Sequence, residues 1–112
     1  MQRTRRYLLT LDSERQLHTF RVTAGLRSTA KPLGGWEAPD NFRRGEFFGH
    51  SLSACAMIYA MTGDEELKAK ADRLVAELAK CQAALGPSGY LSAEPESDFD
   101  RLEAGQFVQG IW

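Results

Sequence analysis

Between Thr62-Gly63-Asp64 and Gly86-Pro87-Ser88-Gly89 the chain keeps one apolar face from Glu65 to Leu85, and this run constrains the fold more than any other feature. Leu67, Ala71, Leu74, Val75, Leu78, Cys81 and Leu85 recur at mostly three- and four-residue steps. Lys68, Lys70, Asp72, Arg73, Glu77 and Lys80 fill the remaining positions. That period is helical, and ~20 residues of it make a helix roughly 30 Å long. Gly63 terminates what precedes it. Asp64 or Thr62 offers the short side-chain oxygen that a helix N-terminus needs.

The upstream sequence predicts three more helices. From Glu46 or Phe47 to Met61, Phe48, Leu52, Cys55, Ala56 and Tyr59 fall on one stripe, with the small residues Ser51, Ser53 and Ala54 beside it. Small residues on several sides suit a helix packed on more than one face. Arg3 to Thr10 reads as helix, and a second one starts on Asp12 or Ser13 and stops at Gly25. Residues 26–45 lose periodicity and carry Pro32, Gly34, Gly35, Pro39 and Gly45. A loop of ~20 residues inside a compact domain is more often functional than idle. Beyond Gly89 the expectation is loop, with one helical turn at Asp98 to Glu103 and the acidic string Glu94, Glu96, Asp98, Asp100 and Glu103 in solvent. No segment shows strand period. The expected fold is all-α, built from antiparallel helical hairpins.

A length of 112 residues allows one domain at most. Folding alone, such a chain buries only about two-thirds of its unfolded surface. The net charge of −1 argues against a nucleic-acid partner. No apolar run approaches the ~18 residues that span a bilayer. The basic start, Met1-Gln-Arg-Thr-Arg-Arg6, lacks the apolar stretch and cleavage site of a signal peptide, so the cytoplasm is the default location. Charge is uneven: residues 1–50 carry nine Lys/Arg against five Asp/Glu, and residues 51–112 five against ten. Either a basic face awaits an acidic ligand, or complementary halves pack together. The scatter of the basic residues favours packing.

Chemistry-bearing residues are few. Cys55 and Cys81 lie on opposite sides of the Gly63 turn, and their register offset corresponds to about 15 Å of helix. That is too far for a disulfide, so both read as buried thiols. His18 sits between Leu17 and Phe20 and reads as a satisfied, partly buried histidine. His50 lies in the first turns of a helix that follows a glycine-punctuated loop, a place where active-site groups gather; a bond to the neighbouring loop is the alternative. Gly34-Gly35-Trp36-Glu37 suits a carbohydrate, whose C–H face stacks on indole while a carboxylate accepts from its hydroxyls. The alternative is that Trp36 plugs the loop onto the core and Glu37 pairs with Arg43 or Arg44. No nucleophile elbow, phosphate loop or Cys-x-x-Cys is present, and no metal-ligand spacing occurs.

A series of ordered motifs adds a resemblance. Tyr7-Leu-Leu-Thr-Leu-Asp12, Leu17-His-Thr-Phe-Arg21, Ala24-Gly-Leu26, Gly34-Gly-Trp-Glu37, Gly49-His-Ser-Leu-Ser-Ala54, Met57-Ile-Tyr-Ala60, Thr62-Gly-Asp64, Gly89-Tyr-Leu-Ser-Ala93 and Phe99-Asp-Arg-Leu102 run in that order. In order and spacing they resemble the N-terminal part of a bacterial glycoside hydrolase family, the β-L-arabinofuranosidases. The resemblance implies an (α/α)6 barrel, of which residues 1–112 would form about four helices. It also implies retaining hydrolysis of terminal L-arabinofuranosides in plant-type glycans. The family works with a cysteine nucleophile, a glutamate acid/base and a zinc held by cysteines and a glutamate.

Neither Cys55 nor Cys81 matches that cysteine cluster, so no catalytic residue and no metal ligand is assigned here, and zinc is implied for the full-length family member only. Trp36, Glu37 and His50 are the residues carried over as contributors to a sugar pocket. The family pattern extends beyond both ends of the sequence, so the expectation is a fragment, inactive alone and self-associating through apolar helix faces. The competing expectation is a non-catalytic helical binding or scaffolding module.

Overall fold

The computed structural model describes residues 2–41 and 43–106, the side chain of Trp36 excepted. Among them the chain forms five α-helices: α1 (Gln2–Thr10), α2 (Ser13–Thr23), α3 (Glu46–Thr62), α4 (Glu65–Ala84) and α5 (Glu96–Glu103). One 3-10 turn, Gly35–Glu37, interrupts the loop before α3. The all-α expectation holds, and no helix is long and apolar enough to cross a membrane among the described residues.

Local chemistry sets the boundaries. Asp12 starts α2 by accepting from the N–H groups of Glu14 and Arg15, and Asp64 starts α4 by accepting from those of Glu66 and Leu67. At the end of α2, Gly25 takes φ 77°. Its N–H bonds the Val22 carbonyl, while that of Leu26 bonds the Arg21 carbonyl at 2.8 Å. This pairing closes the last turn, and a left-handed glycine makes it possible.

The α3–α4 hairpin is the central unit, with α1 against both of its helices and α2 against α4. Two apolar clusters hold it. Leu17, Phe20, Phe48, Leu74, Cys81 and Ala93 form one; Leu8, Cys55, Ile58 and Leu67 form the other. α4 serves both through Leu67, Leu74 and Cys81, all at most 1% exposed. Phe20 and Phe48 meet with ring centroids 5.0 Å apart. Between α2 and α3 the buried Gln16 amide donates to Ser51 Oγ at 3.1 Å, and Ser51 donates on to the Phe48 carbonyl.

Three expectations need correction. The buried line of α3 runs through Phe48, Ser51, Cys55 and Ile58, and Ala56 faces outward. The stripe is rotated because α3 must meet α4 and the α1–α2 side at once. Val75 is 55% exposed, since at helical spacing it falls to the side of the Leu67–Leu74–Cys81 line. The segment after Gly89 is more ordered than a solvated loop: α5 covers Glu96–Glu103, and Glu94 is buried at 8% exposure.

The charge asymmetry resolves into packing. Arg5 pairs with Asp64 and Glu66, Arg21 with Glu77, and Arg44 with Glu94. Each pair joins the basic half to the acidic half. Lys70 Nζ donates to the Leu8 and Leu11 carbonyls near the C-terminal end of α1, where a cation meets the carbonyls left free by the last turn. Burial pushes its pKa down.

Candidate functional site

The loop of residues 26–45 delivers Glu37 to the head of α3. Glu37 is only 7% exposed. Its Oε2 accepts the N–H of Gly45 at 2.8 Å, and its Oε1 accepts that of Phe47 at 2.6 Å. Gly45 is the N-cap of α3 and has no side chain with which to do this itself. The carboxylate therefore satisfies two of the free N–H groups of the first turn and sits at the positive end of the helix dipole. Arg44 goes to Glu94 and Arg43 to Glu46.

Gly45 fits for two reasons. Its φ of 93° lies in the left-handed region, and a Cβ there would stand 3.2 Å from both Ala93 Cβ and the Phe20 ring. Arg44, next to it, spans three acceptors: Nε donates to the Ala93 carbonyl (3.1 Å), Nη1 to that of Asn41 (3.0 Å) and Nη2 to Glu94 Oε2 (2.8 Å). The loop–helix junction is thus fixed from the 3-10 turn on one side and from residues 93–94 on the other.

Beside this junction lies a pocket of about 290 Å³, lined by Tyr7 and Leu11, by Leu33 and Gly34 of the loop, and by Glu37 and Phe47. Two aromatic residues and an acidic one line the same concavity. Such a lining suits a ligand with an apolar face and hydroxyl donors. Glu37 uses one acceptor site on each oxygen for the backbone, and a carboxylate has further sites to offer.

The sequence-predicted residues occupy different places around the pocket. Glu37 lines it. Trp36 precedes Glu37 within the 3-10 turn, and its side chain lies outside the described residues. His50 follows Phe47 by one turn of α3 and does not line the pocket. Its side chain is 75% exposed, with Nε2 3.9 Å from Glu46 Oε1. His18 is partly buried, its Nδ1 2.8 Å from Ser28 Oγ. Tyr7, Leu33 and Phe47 were missed by sequence reasoning. Tyr7 and Phe47 stand in different helices forty residues apart, and no local pattern links them.

The donors for the implied zinc do not assemble among the described residues. No group of three His, Cys, Asp or Glu side chains converges there. Cys55 packs with Leu8, Ile58 and Leu67, whereas Cys81 packs with Leu17, Phe48 and Leu74. Both thiols are free, and burial pushes both away from the thiolate that a metal requires.

Comparison with family models gives a match over residues 1–110, to the family described as beta-L-arabinofuranosidase, GH127 catalytic domain. Comparison with curated proteins finds no match.

Proposed function

The chain belongs to the GH127 β-L-arabinofuranosidase catalytic-domain family, and from that premise we propose that it builds one wall of the sugar-binding cleft in such a domain. The substrate class is carbohydrate, and the reading extends to terminal L-arabinofuranosides in bacterial carbohydrate metabolism. The helices would take their place in an (α/α)6 barrel. The observation that carries this reading is the pocket at the head of α3, where Tyr7, Glu37 and Phe47 line one cavity. Trp36 and His50 are proposed as further contributors to the sugar site, His50 from outside this cavity on the second turn of α3. Glu37 both faces the sugar and holds the helix that carries Phe47 and His50.

The chain is proposed to bind without turning over. Its two thiols are buried in separate apolar clusters, and burial pushes both away from the thiolate that a sulfur nucleophile needs. The outer face of α3 supports self-association: Met57 and Met61 are 60% and 71% exposed, and Ala56 and Ala60 are exposed beside them.

Titration with methyl β-L-arabinofuranoside, followed by amide NMR, tests the cleft. Shifts should concentrate at Gly34, Glu37 and Phe47, and Trp36→Ala or Tyr7→Ala should weaken them. Scattered shifts, or shifts unchanged in both variants, reject the pocket. Incubation with a chromogenic β-L-arabinofuranoside, zinc and thiol should give no release above blank. Sedimentation at rising concentration should show association that Met57→Lys reduces.

A further inference from the structure

A second cavity, also of about 290 Å³, lies where α2, the loop before α3 and the segment after α4 meet. It shares no lining residue with the pocket that holds Glu37. His18 with Val22 and Thr19 with Thr23 are i, i+4 pairs, so one strip of α2 forms a wall. Pro39 and Arg44 come from the loop, and Ala93 and Pro95 complete the lining.

The polar groups of this lining are mostly donors. His18, read from the sequence as a satisfied histidine, is satisfied at one nitrogen: Nδ1 lies 2.8 Å from Ser28 Oγ, and Nε2 has no partner among the described residues. Nε2 is a donor in the charged ring and in the tautomer that lets Ser28 donate to Nδ1. Thr19 is only 8% exposed, yet its hydroxyl has no partner among the described residues. Arg44 gives one N–H each to the Ala93 carbonyl, the Asn41 carbonyl and Glu94. A guanidinium has five, so two remain. The Ala93 carbonyl already accepts from Thr23 Oγ1 and Arg44 Nε, which fills both its lone pairs.

We propose that this cavity binds a small organic carboxylate, its acid group on Thr19, His18 and Arg44 and its apolar body on Val22, Pro39 and Pro95. A carboxylate only accepts, and so matches a donor-rich lining. A sugar hydroxyl brings a donor with every acceptor and finds few places to give it, the reverse of the pocket where the Glu37 carboxylate waits for hydroxyl donors. Glu94 does not line the cavity, but it takes one N–H of Arg44 and balances part of the charge. Recognition therefore rests on matched donors together with apolar contact, and charge alone is not enough.

Benzoate is the probe, with benzyl alcohol as the ring without the charge and acetate as the charge without the ring. Titration of the full chain at constant ionic strength, followed by amide and side-chain NMR, should give saturable benzoate shifts at His18, Thr19, Thr23 and Arg44. Gly34 and Phe47 of the other pocket should stay still. Benzyl alcohol and acetate should each bind about tenfold more weakly or worse. Thr19→Val removes the unpartnered hydroxyl and should weaken benzoate by about three- to tenfold. Val22 is 56% exposed, so Val22→Trp fills the cavity without touching the core and should abolish binding. The site is overturned by the absence of saturable shifts, by an equal response to benzyl alcohol or acetate, or by shifts that centre on Gly34 and Phe47. Benzoate affinity that survives Val22→Trp, or that Thr19→Val leaves unchanged, overturns it as well.

Discussion

Glu37 Oε1 accepts the backbone N–H of Phe47 at 2.6 Å, so a loop carboxylate ten residues upstream caps α3 in place of its own N-cap residue. Replacing Glu37 by Ala leaves two part-buried N–H groups without their acceptor and should cost about 1–3 kcal/mol. Glu37→Gln keeps one oxygen and should cost less. Denaturant unfolding gives the magnitude, and faster exchange at Gly45–Gly49 would locate the loss at the head of α3. Unchanged stability in both variants would show that water replaces the carboxylate there.

Two glycines at the same helix start should respond with opposite sign. Gly45→Ala places a Cβ at φ 93° against Ala93 and Phe20 and should destabilise by about 1–3 kcal/mol. Gly49 lies within α3, and a Cβ there meets nothing within 4 Å. Gly49→Ala should therefore stabilise by about 0.5–1 kcal/mol through helix propensity. Thermal melts of the two variants, side by side, decide the matter.

Adjacent positions of α4 separate burial from periodicity. Leu74 is 1% exposed and Val75 55%. Leu74→Ala should cost about 2–5 kcal/mol, and Val75→Ala should stay within about 0.5 kcal/mol. Equal effects would mean that α4 is rotated from the orientation described.

Thiol chemistry tests the cores directly. Cys55 and Cys81 are both at most 2% exposed, with thiols that burial disfavours as thiolates. A thiol reagent should label neither residue appreciably in the native chain, and both in denaturant. Fast native labelling of one would identify the cluster that opens first.

Acid stability follows from ion pairs within and between helices. Glu14 is lowered chiefly by its bond to Arg21, Asp64 by Arg5 and Glu77 by Lys80, then Arg21. Their contribution is present above the unfolded carboxylate values and is lost as pH falls through the lower folded ones. The melting temperature should hold through mild acid and then fall. Arg21→Met removes a partner of both Glu14 and Glu77 and should move that fall to higher pH.

What could be read without coordinates is what neighbours in sequence decide. The α4 stripe, the Asp64 cap, the Gly25 stop and the helix-only character follow from spacing and from side chains that bond their own backbone within a few residues. The motif series likewise pointed to the family that the match over residues 1–110 establishes. Tertiary structure decided the rest, because it turns on partners with no local signature. Glu94 read as a solvated acid until Arg44, fifty residues away, was found beside it. Glu37 read as a ligand or ion-pair residue, and only the approach of the loop to α3 revealed its backbone partners. Tyr7 and Phe47 share a pocket because α1 packs on α3, a burial preference that many pairings of amphipathic helices could satisfy and that the packed core settles.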